Sequence, residues 1–416
     1  VRAGISFFLG FIFTMYLMPK FIKWAKNKKA SQPIYEHAPQ AHQAKAGTPT
    51  MGGLIILAAI VIPTLLFAKL HNVYIILMLV STVWLGAIGF LDDHYAMAGA
   101  RLIDHAQEVF SESDMIIKVK EPQIDECQML KKDQILFTYL HLAPDVAQTD
   151  ALIASGATCI AYETVTSVSG NLPLLAPMSE VAGRMSIQAA AHYLEKSHGG
   201  RAILMAGVPG VPAANVVILG AGVVGKSALK MAVGMGAHVT ILDKNLERLR
   251  EIDELYGNRV HTIYSNSANI ERSVLAADVV IGGVLIPGAS APKLVTQLLV
   301  SQMKPGAVLV DVAIDQGGCF ETSLSTTHDN PIYLVDDVVH YCVANMPGAV
   351  ARTSTIALTN ATSPFVLEIA NKGIAKSLKD NQHLLNGLNV YQGHITCEAV
   401  ARAQGLDFMD PKNIFH

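Results

Sequence analysis

Apolar and polar positions fall into two textures along the chain. Up to about residue 93 the apolar residues come in long runs: 3–18, 52–68 and 73–91 contain no Asp, Glu, Lys or Arg. Each run approaches the ~20 residues that cross a bilayer, so the pattern predicts three transmembrane helices within residues 3–91. Lys20, Lys23, Lys26, Lys28, Lys29 and Lys45 lie between the first two runs, and the positive-inside rule places that loop in the cytoplasm. Trp24 and Trp84, the only tryptophans, are expected at the bilayer interface. Everything after residue 93 is then cytoplasmic.

Beyond residue 93 short β-branched runs at 115–119, 135–139, 216–219, 239–242, 279–281 and 308–312 alternate with alanine-rich helical stretches. Alternation of this kind predicts an α/β fold with a parallel sheet. Composition agrees with the split: 51% of the 416 residues are hydrophobic and only 16% charged, more apolar than an ordinary soluble chain. A formal net charge of −3 gives no basic surface for nucleic acid. Five scattered cysteines without C-x-x-C spacing read as buried reduced thiols, not as a zinc site or a disulfide framework.

The chemistry concentrates in one motif. Gly220, Gly222 and Gly225 stand in G-x-G-x-x-G spacing. A β-branched run precedes them, a helical stretch at 223–235 follows, and a second strand ends at Asp243, the separation of a dinucleotide fingerprint. Gly220 permits the tight turn, Gly222 lets a diphosphate approach the backbone, and Gly225 lets helix and strand pack. Helix N-terminal amides face the phosphates. A carboxylate at Asp243 accepts from both ribose hydroxyls and repels a 2′-phosphate, which favours NAD over NADP. The alternative is a glycine-rich turn in some other α/β protein. Later strands lead into Gly282–Leu285, into Ala313–Asp315, and through Val343 into Asn345 and Met346, all at the same crevice.

The strings KVKEP (118–122), ILFTYLHLA (135–143), LPLLAPMSEVAGR (172–184), VVILGAGVVG (216–225), VLVDVAIDQGG (308–318) and HYCVANMPGAV (340–350) resemble alanine dehydrogenases, from about residue 94 to the end. The resemblance implies NAD-dependent oxidative deamination of L-alanine to pyruvate and ammonium. It further implies that Lys120 binds substrate, His141 is the general acid/base and Asp315 activates substrate. Asn345 and Met346 line the pocket. Ser179, Asp243, Arg248, Ser265, Val284, Leu285 and Val343 join the glycines in holding NAD. A homo-oligomer, usually a hexamer, is implied as well. Taken alone, His141 reads more readily as a hydrogen-bonded surface histidine and Lys120 as a solvated lysine, whereas Asp315, which could cap the Gly317-Gly318 turn, reads more readily as a site residue from its place at a strand end.

The front segment resembles phospho-N-acetylmuramoyl-pentapeptide transferases through QPIYEHAPQAHQAKAGTPTMGG (32–53) and GFLDD (89–93). That likeness makes Asp92 and Asp93 a weaker alternative site, for magnesium; no other metal is expected. The domains expected are a membrane segment at 1–93, a Rossmann-type NAD domain at 172–351, and an incomplete α/β substrate domain from 94–171 with 352–416. The substrate domain is expected to be incomplete because dehydrogenases of this kind carry a βαβ unit with a carboxylate-gripping arginine before the matching region. Arg101 sits in another context. Loss of such a contact is worth on the order of a hundredfold in affinity. The abrupt change at 93–94 reads as two truncated modules joined, anchored at a bacterial inner membrane with the catalytic domains in the cytoplasm. The rival functions are a non-catalytic membrane-tethered NAD-binding protein, a transhydrogenase component and a transferase fragment.

Overall fold

The computed structural model describes residues 2–27, 52–68, 75–76, 78–83, 99–284 and 291–414. The chain divides into two compact units, 1–109 and 110–416.

In the first unit, helices Arg2–Asn27 and Gly52–Phe67 pack on each other. A Cβ on Gly10 would stand 2.8 Å from the Ala59 carbonyl oxygen, so the glycine permits their close crossing. The three expected membrane-spanning helices find no support, because no helix among the described residues is long and apolar enough to cross a membrane. The physical reasons are visible in the two helices. The apolar stretch of Arg2–Asn27 gives way at Pro19 to Lys20, Lys23 and Lys26. Gly52–Phe67 has 16 residues, a rise of about 24 Å against a hydrocarbon core of about 30 Å. Most of the third run, with Asp92 and Asp93, lies outside the described residues.

The second unit contains two sheets. The smaller is built from β1 (Met115–Ile117), β2 (Ile135–Thr138), β3 (Thr158–Ala161), β11 (Leu388–Tyr391) and β12 (His394–Ile395), in the order β1-β2-β3-β11-β12. The first three strands run parallel, and β11 pairs antiparallel with β3. Helix Val146–Ser155 crosses between β2 and β3. Asp145 caps it by accepting from the Gln148 amide at 2.9 Å, and Gly156 ends it at φ 68°, where a residue without Cβ costs least.

The larger sheet runs β6 (Val260–Tyr264), β5 (His238–Asp243), β4 (Asn215–Leu219), β7 (Val279–Gly282), β8 (Val308–Asp311), β10 (Val338–Tyr341) and β9 (Ile332–Val335). The first six are parallel; β9 pairs antiparallel with β10 at the edge. This is the doubly wound dinucleotide-binding order, whose direction reverses between β4 and β7 and so opens a crevice at their carboxyl ends. Val216, Val279 and Val308, with Ile218, Ile281 and Val310, face one layer of helices, whereas Val217, Val280 and Leu309 face the other. Burial on both faces explains why these strands read as unbroken apolar runs.

Helix Ala176–Tyr193 packs across Val223–Gly234. Contact is possible because a Cβ at Gly183 would fall 2.3 Å from the Val224 carbonyl oxygen. Beyond β8, Asp311 is fully buried, and burial pushes its carboxyl up from the ordinary range despite its hydrogen bonds. It accepts from the Ser323 hydroxyl at 2.5 Å, the Cys319 amide at 2.7 Å and the Ala313 amide at 3.1 Å. Those bonds hold the tight turn that carries Asp315. All five cysteines are free thiols and four are buried. Burial raises the Cys127 thiol to about 11 and the Cys319 thiol to about 12, which leaves them unreactive near neutrality.

Candidate active site

The chain enters the first βα turn of the larger sheet with Gly220 at φ 100°, and its amide donates to the Leu242 carbonyl at 2.8 Å. A Cβ at Gly220 would lie 2.8 Å from the Gly283 carbonyl oxygen, and one at Gly225 only 1.8 Å from the Gly220 carbonyl oxygen. Both positions therefore exclude every side chain. Gly222 differs: a Cβ there meets nothing within 4 Å. It precedes helix Val223–Gly234, so the open space lies against the amides that a diphosphate would use.

At the carboxyl end of β5 the Asp243 carboxylate is largely shielded, 13% exposed. It accepts from the Ala221 amide at 2.6 Å and, through its other oxygen, from the Asn245 amide at 2.7 Å. A carboxylate offers about four acceptor positions. Two fix it to the glycine turn, and two remain for a vicinal diol. Ser265 is buried beside it, its amide donating to the Asp243 carbonyl at 3.0 Å. Arg248 Nη1 lies 3.9 Å from Asp243 Oδ2 with half its side chain exposed. The Val284 side chain would sit 3.1 Å from a Cβ on Gly220, at the mouth of the turn. Ser179 is half-buried in the first turn of helix Ala176–Tyr193. Leu285 lies outside the described residues. These residues fit NAD: the cradle is open where a diphosphate sits and closed where only packing is needed.

The second cluster belongs to the smaller sheet. His141 follows β2 with φ 47°, a left-handed conformation that few residues other than glycine adopt. Glu163 stabilises that bend, accepting from the His141 amide at 2.6 Å and the Leu140 amide at 3.1 Å. The His141 ring stacks on Tyr139, with centroids 5.7 Å apart, and the Tyr139 hydroxyl donates to the Leu174 carbonyl at 2.6 Å. His141 Nδ1 meets Glu121 Oε1 at 2.5 Å. A carboxylate there fixes the tautomer with the proton on Nδ1, which leaves the Nε2 lone pair for a reacting group. Lys120 Nζ lies 3.9 Å from Glu121 Oε2 and is half-exposed. The Thr138 hydroxyl donates to the Lys120 carbonyl at 3.0 Å, tying the 118–121 segment to the end of β2.

Burial works to lower the His141 pKa. The hydrogen bond to Glu121 and the charges of Glu163 and Glu121 outweigh it, so the imidazole titrates above its ordinary value. Burial likewise opposes ionisation of Glu121, but the hydrogen bond from His141 and the cations beside it hold that carboxyl below its usual range. A general base at this position would have to be neutral to accept a proton, so the acidic limb of a kcat/KM profile that depends on it should lie above that of free imidazole. Glu121→Gln keeps an acceptor for Nδ1–H and removes the charge. The expected outcome is a limb displaced to lower pH with a reduced plateau. An unmoved limb in the variant's pH–rate profile would contradict the assignment.

The remaining expected residues lie at the carboxyl ends of β8 and β10, in the sheet that carries the glycine turn. Asp315 is exposed in the short turn Ile314–Gln316, which Gly317 ends at φ 88°. Asn345 is exposed at φ 57° and accepts from His328 Nε2 through its carbonyl at 3.1 Å. Met346 is 3% exposed and Val343 fully buried, both inside the apolar core. Their side chains belong to the packed core, so Val343 offers a ligand only its main chain. Sequence reasoning missed Glu121 and Glu163. The first is the residue after Lys120; no signal singled out the second.

Residues 186–398 match the family described as alanine dehydrogenase/PNT, C-terminal domain, and residues 84–182 match its N-terminal domain. The alanine dehydrogenase of Halomonas elongata is 56% identical over 326 residues, covering 78% of this chain and 88% of that one. That of Bacillus subtilis is 55% identical, covering 77% and 85%. A solved L-alanine dehydrogenase is 50% identical with a TM-score of 0.71, covering 77% of this chain and 89% of that chain. A transhydrogenase from Sinorhizobium meliloti, 22% identical with a TM-score of 0.63, covers 73% and 86% and shares the fold. A phospho-N-acetylmuramoyl-pentapeptide-transferase signature matches only residues 45–57, a stretch too short to assign a fold or an activity. The glycine turn, the carboxylate at its rim and the sustained identity across both sheets converge on one assignment: the chain belongs to the alanine dehydrogenase/PNT family.

Proposed function

We propose that the chain catalyses L-alanine + NAD⁺ + water ⇌ pyruvate + ammonium + NADH + H⁺. The observation that carries this reading is its 52–57% identity to alanine dehydrogenases over more than three quarters of its length. NAD, when bound, supplies the hydride acceptor. In the proposal Gly222 and the amides after it hold the diphosphate, and Asp243 holds the ribose hydroxyls. Ser179, Arg248, Ser265, Val284 and Leu285 complete the cofactor's surroundings.

The work of this chain's own residues is binding and proton transfer. Lys120 provides the cation for the substrate's carboxylate and carbonyl. His141 Nε2 takes a proton from water as it adds to the iminium carbon, and Glu121 stabilises the imidazolium that results. In the reverse direction the same nitrogen donates. Asp315 activates the substrate beside the nicotinamide, with Asn345 at the pocket wall and Met346 supporting it from the core. The homo-oligomeric state of the family is part of the proposal.

The test is NADH formation by the purified full-length chain with NAD⁺ and L-alanine. Formation that depends on both, and that rises with alanine to saturation, supports the reading. NADH binding without turnover favours a non-catalytic NAD-binding protein. Hydride exchange between two nicotinamide cofactors without alanine favours the transhydrogenase reading.

A further inference from the structure

We propose a divalent transition-metal site, separate from the active site, formed by His192, Glu195 and His198. The three residues stand at i, i+3 and i+6, where helix Ala176–Tyr193 ends and a single short turn, Lys196–His198, follows. One ligand atom from each lies within 4.8 Å of the other two. His192 Nδ1 is 3.6 Å from one oxygen of Glu195, and His198 Nδ1 is 3.5 Å from the other. A tetrahedral cation with bonds of about 2.0–2.2 Å to nitrogen and oxygen separates its ligands by about 3.3–3.6 Å. Each imidazole lies at about that spacing from its own oxygen of Glu195, and the two rings are neighbours with centroids 4.0 Å apart, so a cation would seat by turning the three side chains until one atom of each converges.

Three further features prepare the site. The backbone is fixed: the Glu195 amide donates to the His192 carbonyl at 3.2 Å, and the His198 and Gly200 amides both donate to the Glu195 carbonyl at 3.1 Å. Gly200 makes this tightness possible, since a Cβ there would lie 2.1 Å from the Tyr193 carbonyl oxygen. The rings are held as well. Tyr193 meets His192 and His198 edge-on, at centroid distances of 5.0 and 5.6 Å, and is itself packed on the core residue Tyr341 at 5.5 Å. Finally, the cluster sits at a helix C-terminus, where the backbone dipoles favour positive charge.

The donor set selects the metal. Two imidazoles and one carboxylate suit Zn²⁺, Ni²⁺ or Cu²⁺ and suit Mg²⁺ poorly. All three side chains are partly exposed, so a fourth position stays open to water. The Ser197 hydroxyl, 3.3 Å from His198 Nδ1, would turn aside as the cation binds. Thirteen residues along one helix, about 20 Å, separate His192 from Ser179. The cation would thus clamp the helix end, without entering the reaction.

Calorimetric titration of the full-length chain with Zn²⁺ tests this. One saturable site is expected. It should weaken at least tenfold in His192→Ala and in His198→Ala, and vanish in the double variant. His394→Ala, an exposed histidine elsewhere, should leave it unchanged, and Mg²⁺ should give no comparable heat. Unaltered circular dichroism and NADH binding in the variants will show that the fold survives. A wild-type chain that gives no saturable heat overturns the proposal. So does a site that persists unchanged in the double variant, because other histidines or thiols then hold the metal.

Discussion

Replacing His141 by alanine is expected to lower kcat for alanine oxidation by about 10²–10⁴-fold, the usual contribution of one positioned acid/base. NADH affinity should stay within about twofold, a change below 0.5 kcal/mol, because His141 follows β2 of the smaller sheet and the glycine turn follows β4 of the larger. The left-handed backbone at His141 complicates the variant, since alanine tolerates that conformation less well than histidine or asparagine, by a fraction of the about 1–2 kcal/mol it costs an L-residue. His141→Asn resolves this: asparagine tolerates φ 47°, and its amide cannot accept a proton at neutral pH. Both variants should lose turnover alike while only the alanine variant loses thermal stability. Steady-state kinetics beside a thermal melt reads both outcomes. An asparagine variant with wild-type kcat would remove His141 from the chemistry.

The second large effect separates the packing glycine of the turn from the ligand-facing one. Gly225→Ala places a methyl 1.8 Å from the Gly220 carbonyl oxygen, and no rotamer relieves that contact. The turn must open, and overpacking of this kind costs about 1–3 kcal/mol or more. A lower melting temperature and loss of NADH binding are expected together. Gly222→Ala adds a methyl to empty space at φ −76°, so the protein should melt as the wild type does. Its methyl then occupies the approach of the diphosphate. Losing a charge-assisted hydrogen bond worth ~1.5–3 kcal/mol weakens NADH on the order of tenfold to a hundredfold. Fluorescence titration and a melt on both variants check the pattern. Equal stability losses in the two would show that the space at Gly222 has no ligand-binding role.

These two sites also show what was legible in the sequence. Gly220 and Gly225 were readable because sterics admit no other residue there, and steric demands leave a fixed spacing. The larger sheet was readable because burial on both faces turns strands such as Val279–Gly282 into unbroken apolar runs. Strands at or near a sheet edge were less so. Val260–Tyr264 carries exposed His261 and Tyr264, and His394–Ile395 has only two residues. Helix Ala176–Tyr193 takes Pro177 into its first turn, where a proline usually reads as a break, because early helical amides need no intrahelical partner.

Glu121 and Glu163 were beyond reach for another reason. Carboxylates are common on surfaces, and only the fold brings position 163 back to the amides of Leu140 and His141. The apolar front segment misled in the opposite sense. Run length alone suggested three spans, yet the described helices there break into a lysine-bearing end and a 16-residue segment.

In the proposed function Asp243 and the glycine turn select NAD over NADP. The most direct measurement is parallel fluorescence titration of the purified full-length chain with NADH and with NADPH. Saturable NADH binding, with NADPH weaker by at least about tenfold, is predicted, because the 2′-phosphate would face a shielded carboxylate. Equal affinity for the two, or no saturable signal with NADH, would contradict it.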